Sequence, residues 1–136
     1  MSAFETPEEM QEVLNKMAEL VQSDAALIQA SKGKNLTISY EFPDLEIFFY
    51  TNFLDGQVEA GLGEVEEANI QLTMDSDIFD GMFTGKVNAA KAAMKGDLAF
   101  SGNVAAAMRL QGLMDDFKRI YVRAKGEALR QGSGQV

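Results

Sequence analysis

The sequence predicts an α+β fold, and three observations carry that prediction. Apolar residues recur at a helical period over residues 10–21, switch to a period of two at Leu36, and resume the helical period after Asn103. Five short stretches read as strands bounded by turn residues. The chain has 136 residues, of which 46% are hydrophobic, enough for one domain with a real core.

Thr6-Pro7-Glu8-Glu9 reads as a helix start, with Thr6 as the cap, Pro7 at the first helical position and Glu9 completing a capping box. Met10, Val13, Leu14, Met17, Leu20 and Val21 supply the apolar face. A shorter helical turn over residues 25–30 is expected to end by Gly33. Leu36, Ile38, Tyr40 and Phe42 then alternate with Thr37, Ser39 and Glu41, a strand with one wet face. Pro43-Asp44 turns the chain into a second strand over residues 45–53, and Asp55-Gly56 is a hairpin signal into a third at 57–61. Ile70, Leu72 and Met74 define a fourth strand after the acidic run of Glu64, Glu66 and Glu67.

Asp75 or Asp77 is expected to cap a short helix carrying Ile78, Phe79, Met82 and Phe83, closed by Gly85. Asn88 caps a further turn before the fifth strand at 95–101, where Leu98 and Phe100 share one face. One last helix is expected from about Asn103 into the 120s, with Ala107, Leu110, Met114, Phe117 and Tyr121 facing the sheet. These elements make one domain over residues 1–131, with a flexible tail at 132–136.

The net charge is −9, unevenly placed: residues 1–80 hold 3 bases and 17 acids, residues 81–136 hold 9 and 4. Either the halves complement each other within the fold, or the basic end meets phosphates or an anionic membrane surface. A pI near 4.4 argues against nucleic acid as a partner. No apolar run is long enough to span a membrane, and the MSAFETPEEM start lacks the apolar region of a signal peptide. Gly134-Gln135-Val136 is not a peroxisomal address, so a cytoplasmic location is expected.

The chain has no histidine and no cysteine, which removes the commonest general bases, nucleophiles and zinc ligands. Asp75-Ser76-Asp77 with Asp80-Gly81 fails as a calcium loop, because Phe79 takes the fifth position and the glycine falls one place late. Gly61-Leu62-Gly63 lacks the third glycine of a dinucleotide loop and runs into Glu64. Thr84-Gly85-Lys86 lacks the upstream glycine and following hydroxyl of a phosphate loop. Carboxylate- or lysine-based chemistry stays open but no spacing singles it out, so no catalytic residue, metal or cofactor is expected.

The stretch "MDSDIFDGMFTGKVNAAKAAMKGDLAFSGNVAAAMRLQGL" resembles the sterol carrier protein 2 family. The likeness rests on Leu72-Thr73-Met74, Phe79, Thr84-Gly85-Lys86 and the strand-turn-helix "KGDLAFSGNVAAAMRLQ", in that order and spacing. It implies a five-stranded sheet covered on one face by helices, with an apolar tunnel between them that binds fatty acids, fatty acyl-CoA, sterols or other lipids. The chain departs from the family in lacking tryptophan and the usual targeting tripeptide, and in a longer, charged segment after Leu113. The ligand expected is accordingly a lipid, not narrowed to a sterol.

The expected function is lipid binding and transfer without catalysis. The alternative is a non-catalytic interaction or regulatory module, such as an accessory subunit of acyl-CoA metabolism. Candidate tunnel-wall residues are Ile38, Tyr40, Leu98 and Phe100 from strands, and Phe79, Met82 and Phe83 from the short helix. Met108 and Met114 come from the last helix, where Gln111 either contacts the ligand or faces water. Unbranched methionines re-pack around different ligands, though they also serve as ordinary core. An empty rigid cavity of roughly 300 Å³ would cost about 7 kcal/mol, so such a tunnel is expected filled, wet or collapsed. Expected partners are a small-molecule lipid, a transient membrane-surface contact and a second copy of the chain. The homodimer expectation rests on Phe48 and Tyr50, which oppose Ile47 and Phe49 across the second strand. The bases Lys118, Arg119, Arg123, Lys125 and Arg130 either receive an anionic head group or solvate the helix.

Overall fold

Helix α1 (Pro7–Ser23) starts where Thr6 accepts a hydrogen bond from Glu9 N at 3.1 Å. The Glu9 carboxylate reaches back to Glu5 N at 3.4 Å, one residue beyond the capping-box partner. Its stripe of Met10, Val13, Leu14, Met17, Ala18 and Val21 is buried. Asp24 then caps α2 (Ala25–Ala30) through Leu27 N at 3.0 Å. The computed structural model describes residues 3–133, and side chains as far as Leu129.

The five expected strands form one sheet: β1 (Asn35–Phe42), β2 (Ile47–Leu54), β3 (Gln57–Leu62), β4 (Ile70–Met74) and β5 (Leu98–Gly102), in the order β3-β2-β1-β4-β5. All pairings are antiparallel except β1 with β4, which the acidic connection makes parallel by crossing over. Register aligns the apolar sets: Leu36 faces Phe53, Ile38 faces Thr51, Tyr40 faces Phe49 and Leu72 faces Phe100. Because side chains alternate along a strand, that register gives the sheet one apolar inner face. The outer face carries Thr37, Ser39, Glu41, Phe48, Tyr50 and Asn52, all exposed or half-buried. At the β2–β3 hairpin both Asp55 (φ 44°) and Gly56 (φ 89°) take left-handed backbone, as a tight two-residue turn demands.

Helix α3 (Ser76–Phe83) corrects one expectation. Asp75 holds the cap position but makes no capping bond, and Asp77 accepts instead from Ala3 N at 2.6 Å. The cap comes from the β1–β2 turn, where Asp44 accepts from Ser76 N at 2.9 Å and Ser76 Oγ at 2.6 Å. After α3 the chain folds back so that Lys86 N and Val87 N both donate to Gly81 O. Val87 then occupies the space that a Cβ on residue 81 would need. Asn88 caps α4 (Ala89–Lys95) as expected, and Gly96 ends it in left-handed backbone at φ 85°.

The single final helix is instead two: α5 (Val104–Gln111) and α6 (Met114–Ser133). Gly112, a poor helix residue, interrupts the run, and the turn buries Leu113 completely. Helix α6 then lays Phe117, Ile120, Tyr121, Ala124 and Ala128 into the core and packs along α1. It reaches Ser133, within the segment expected as a tail; residues 134–136 lie outside the described residues.

Candidate functional site

The inner sheet face and the helices above it bring six of the ten candidate wall residues into one core. Ile38, Tyr40, Phe79, Met82, Phe83 and Leu98 are all buried there. Phe79 is the centre: its ring lies 4.4 Å from Phe83, 5.0 Å from Phe42, 5.2 Å from Tyr121 and 6.1 Å from Tyr40. These are packed-ring distances, so the rings around Phe79 lie in direct contact with it. Tyr40 Oη lies 3.2 Å from Thr51 Oγ1, which gives two buried hydroxyls a partner each. Burial pushes the Tyr40 phenol well up, against the smaller opposing effect of Thr51.

The remaining four candidates lie on β5 and beyond it. Phe100 belongs to the inner face by register with Leu72, yet is 42% exposed. Met108 is 66% exposed, Gln111 is exposed and Met114 is half-buried. Helix α5 buries only Ala106 fully and leaves Val104 at 77% exposure. The candidate wall is therefore closed around Phe79 and open at β5 and α5.

A polar cluster that sequence reasoning missed sits beside the closed part. Asp80 Oδ1 accepts from both Tyr121 Oη and Lys125 Nζ at 2.7 Å, and Asp80 is 7% exposed. Burial, then the hydrogen bond to Asp80, pushes the Tyr121 phenol up. The Lys125 ammonium also lies 5.8 Å from the buried Phe4 ring. No local signal in the sequence links positions 80 and 125.

The basic C-terminal segment is largely spent on carboxylates of the same chain. Arg119 grips Asp24 with two hydrogen bonds, at 3.0 and 2.8 Å, and also reaches Asp116 at 3.1 Å. That guanidinium holds the Asp24 carboxyl below the usual range. Arg123 pairs with Glu127 at 2.5 Å, which lowers the Glu127 carboxyl. Lys118 stays exposed, and the Arg130 side chain lies outside the described residues. Among the described residues, no group of three or more carboxylates is placed to hold a metal ion.

Phe48 and Tyr50 lie on the outer sheet face, each half-buried. Tyr50 is laid across Gly61, where an added Cβ would come within 3.3 Å of its hydroxyl. Among the described residues no helix is long and apolar enough to cross a membrane.

The SCP-2 sterol transfer family matches residues 14–115, most of the chain. A 56-residue stretch is 39% identical to the bovine (Bos taurus) hydroxysteroid dehydrogenase-like protein 2, covering 40% of this chain and 13% of that protein. The fold is that of the sterol carrier protein domain of Helicoverpa armigera, with a TM-score of 0.65 at 18% identity over 87% of this chain and 94% of that one. It is also that of sterol carrier protein 2 from Aedes aegypti, solved in complex with palmitate (TM-score 0.55, 17% identity, 78% of this chain and 94% of that one).

Proposed function

We propose that this chain, which belongs to the SCP-2 sterol transfer family, holds one single-chain lipid between its inner sheet face and helix α5 and performs no chemistry on it. The observation that carries the reading is the asymmetry of the apolar face. Around Phe79 the rings are buried and pack on one another, whereas Phe100 and Met108 remain exposed on β5 and α5. An acyl chain would give those side chains the apolar contact they lack, at about 25 cal/mol per Å² removed from water. Met82, Met108 and Met114 would re-pack around it, since unbranched thioethers adapt to irregular ligands. Gln111, exposed on α5, supplies the polar contact for the head group. A palmitate-bound protein of the same fold supports a fatty acid as the ligand class.

The alternative, a non-catalytic accessory module, is favoured by one finding: the bovine relative named for a dehydrogenase matches over only 13% of its own length. Native mass spectrometry of the purified protein, with extraction of any co-purified lipid, separates the two. A one-to-one lipid adduct is expected. Saturable binding to no acyl ligand by folded protein would leave the accessory reading.

A further inference from the structure

Among the described residues, the outer face of the sheet carries Glu41 and Glu59, and the loop that follows β3 adds Glu64, Glu66 and Glu67. On this face β1 and β2 set Glu41 beside Phe48 and Ser39 beside Tyr50, while β1 and β4 set Ser39 beside Gln71 and Glu41 beside Thr73. A groove of about 180 Å³ runs over these side chains, walled by Gly63, Glu64 and Val65. A second groove of about 520 Å³ is lined by Thr37, Glu66, Glu67, Ala68, Asn69 and Gln71. The two share Gln71 and lie along β1 between Glu41 and Thr37, a span of roughly 13 Å at the rise of a strand. Their floor is hydroxyl, amide and aromatic, and their rim is glutamate.

We infer that these two grooves are a docking surface for an extended, Lys- or Arg-bearing segment of a partner protein. Cations on alternate positions would reach Glu41 and Glu64 at one end and Glu66 and Glu67 at the other. Their aliphatic stems would lie along Phe48, where a cation–π contact adds to the carboxylate attraction. Charge complementarity selects this occupant over a second copy. A two-fold pairing of the face with itself would set one glutamate-rimmed surface against another, and such like-charge opposition disfavours association. The surface lies on the opposite side of the sheet from the lipid reading, so neither depends on the other.

The test uses the full chain with a fluorescein-labelled decapeptide of alternating Lys and Val, and the Glu-Val decapeptide as control. Binding is read by anisotropy and mapped by amide chemical shifts. Glu64→Gln/Glu66→Gln/Glu67→Gln changes three exposed or loop carboxylates and should weaken the basic peptide at least ten-fold, with the thermal midpoint unchanged. Glu5→Gln/Glu8→Gln/Glu12→Gln removes the same charge near the start of α1, away from the grooves, and should weaken it less than two-fold. Shifts should centre on Ser39, Gln71 and Thr73. Equal weakening by the two variants would reduce the effect to diffuse attraction and overturn the proposal. So would shifts centred on α1 or α5, or a dimer in sedimentation that the peptide does not dissociate.

Discussion

The Tyr121 hydroxyl and the Lys125 ammonium converge on one oxygen of Asp80, each at 2.7 Å. A carboxylate this deep is tolerable only with both donors in place, because an uncompensated buried charge is costly. The two donors are not equal. Tyr121→Phe removes a neutral donor and leaves the ion pair, so a loss of about 1–2 kcal/mol is expected. Lys125→Met removes the countercharge and should cost more, about 2–3 kcal/mol, since Lys125 is itself only partly buried. Urea denaturation of both variants checks the order; a larger loss for Tyr121→Phe would reverse the assignment of the compensating charge.

A second prediction concerns Asp24, which caps α2 through Leu27 N while Arg119 grips its carboxylate. The hydrogen bond from Arg119 is the largest cause of its lowered pKa. A lowered folded value means that the unfolded chain takes up the proton first as pH falls. The contribution to stability is therefore full above about pH 4, the ordinary carboxylate value, and is lost as pH falls through the folded value. Asp24→Asn keeps the cap but removes the charge. Stability at pH 7 should fall by under about 1 kcal/mol, the range of a half-exposed pair, and the acid limb below pH 4 should become shallower. An unchanged acid limb would show that Asp24 titrates alike in both states.

Capping of α3 gives a third prediction, and it runs against the local sequence. Asp44→Ala loses two hydrogen bonds to Ser76 and should cost about 1–2 kcal/mol, whereas Asp75→Ala, at the cap position itself, should cost under about 0.5 kcal/mol. Chemical denaturation of the two variants decides between them.

The same residues show what could be read in the sequence and what could not. The strands follow from turn residues together with period-two alternation or, in β2, a short run apolar on both faces, all of which are local facts. The Asp44 cap is not local: its partner lies 32 residues away, brought near only by the sheet. The break between α5 and α6 is hidden for another reason. Ala106, Leu110, Leu113, Phe117, Tyr121, Ala124 and Ala128 keep a helical period straight through it, and Gly112 is the only local sign. Likewise a count of bases after residue 118 does not reveal that Arg119, Arg123 and Lys125 already have carboxylate partners. Of the candidate wall, apolarity marked the residues that would be buried, but not the difference between the closed ring cluster and exposed Met108.

That exposure makes Met108 the sharpest test of the lipid reading. In the free protein it is 66% exposed, so Met108→Glu should shift the thermal midpoint by no more than about 2 °C. If an acyl chain packs against α5, the same substitution places a carboxylate in apolar contact and a fluorescent fatty acid should bind at least ten-fold more weakly, about 1.4 kcal/mol or more. Val122→Glu is the control, since Val122 is 55% exposed but lies on α6, outside the proposed wall. It adds the same charge and should leave affinity within two-fold. Equal loss in both variants would reduce the effect to repulsion of an anionic ligand, which a neutral acyl alcohol probe would then escape. Unaltered binding by Met108→Glu would remove α5 from the site and overturn the proposed wall.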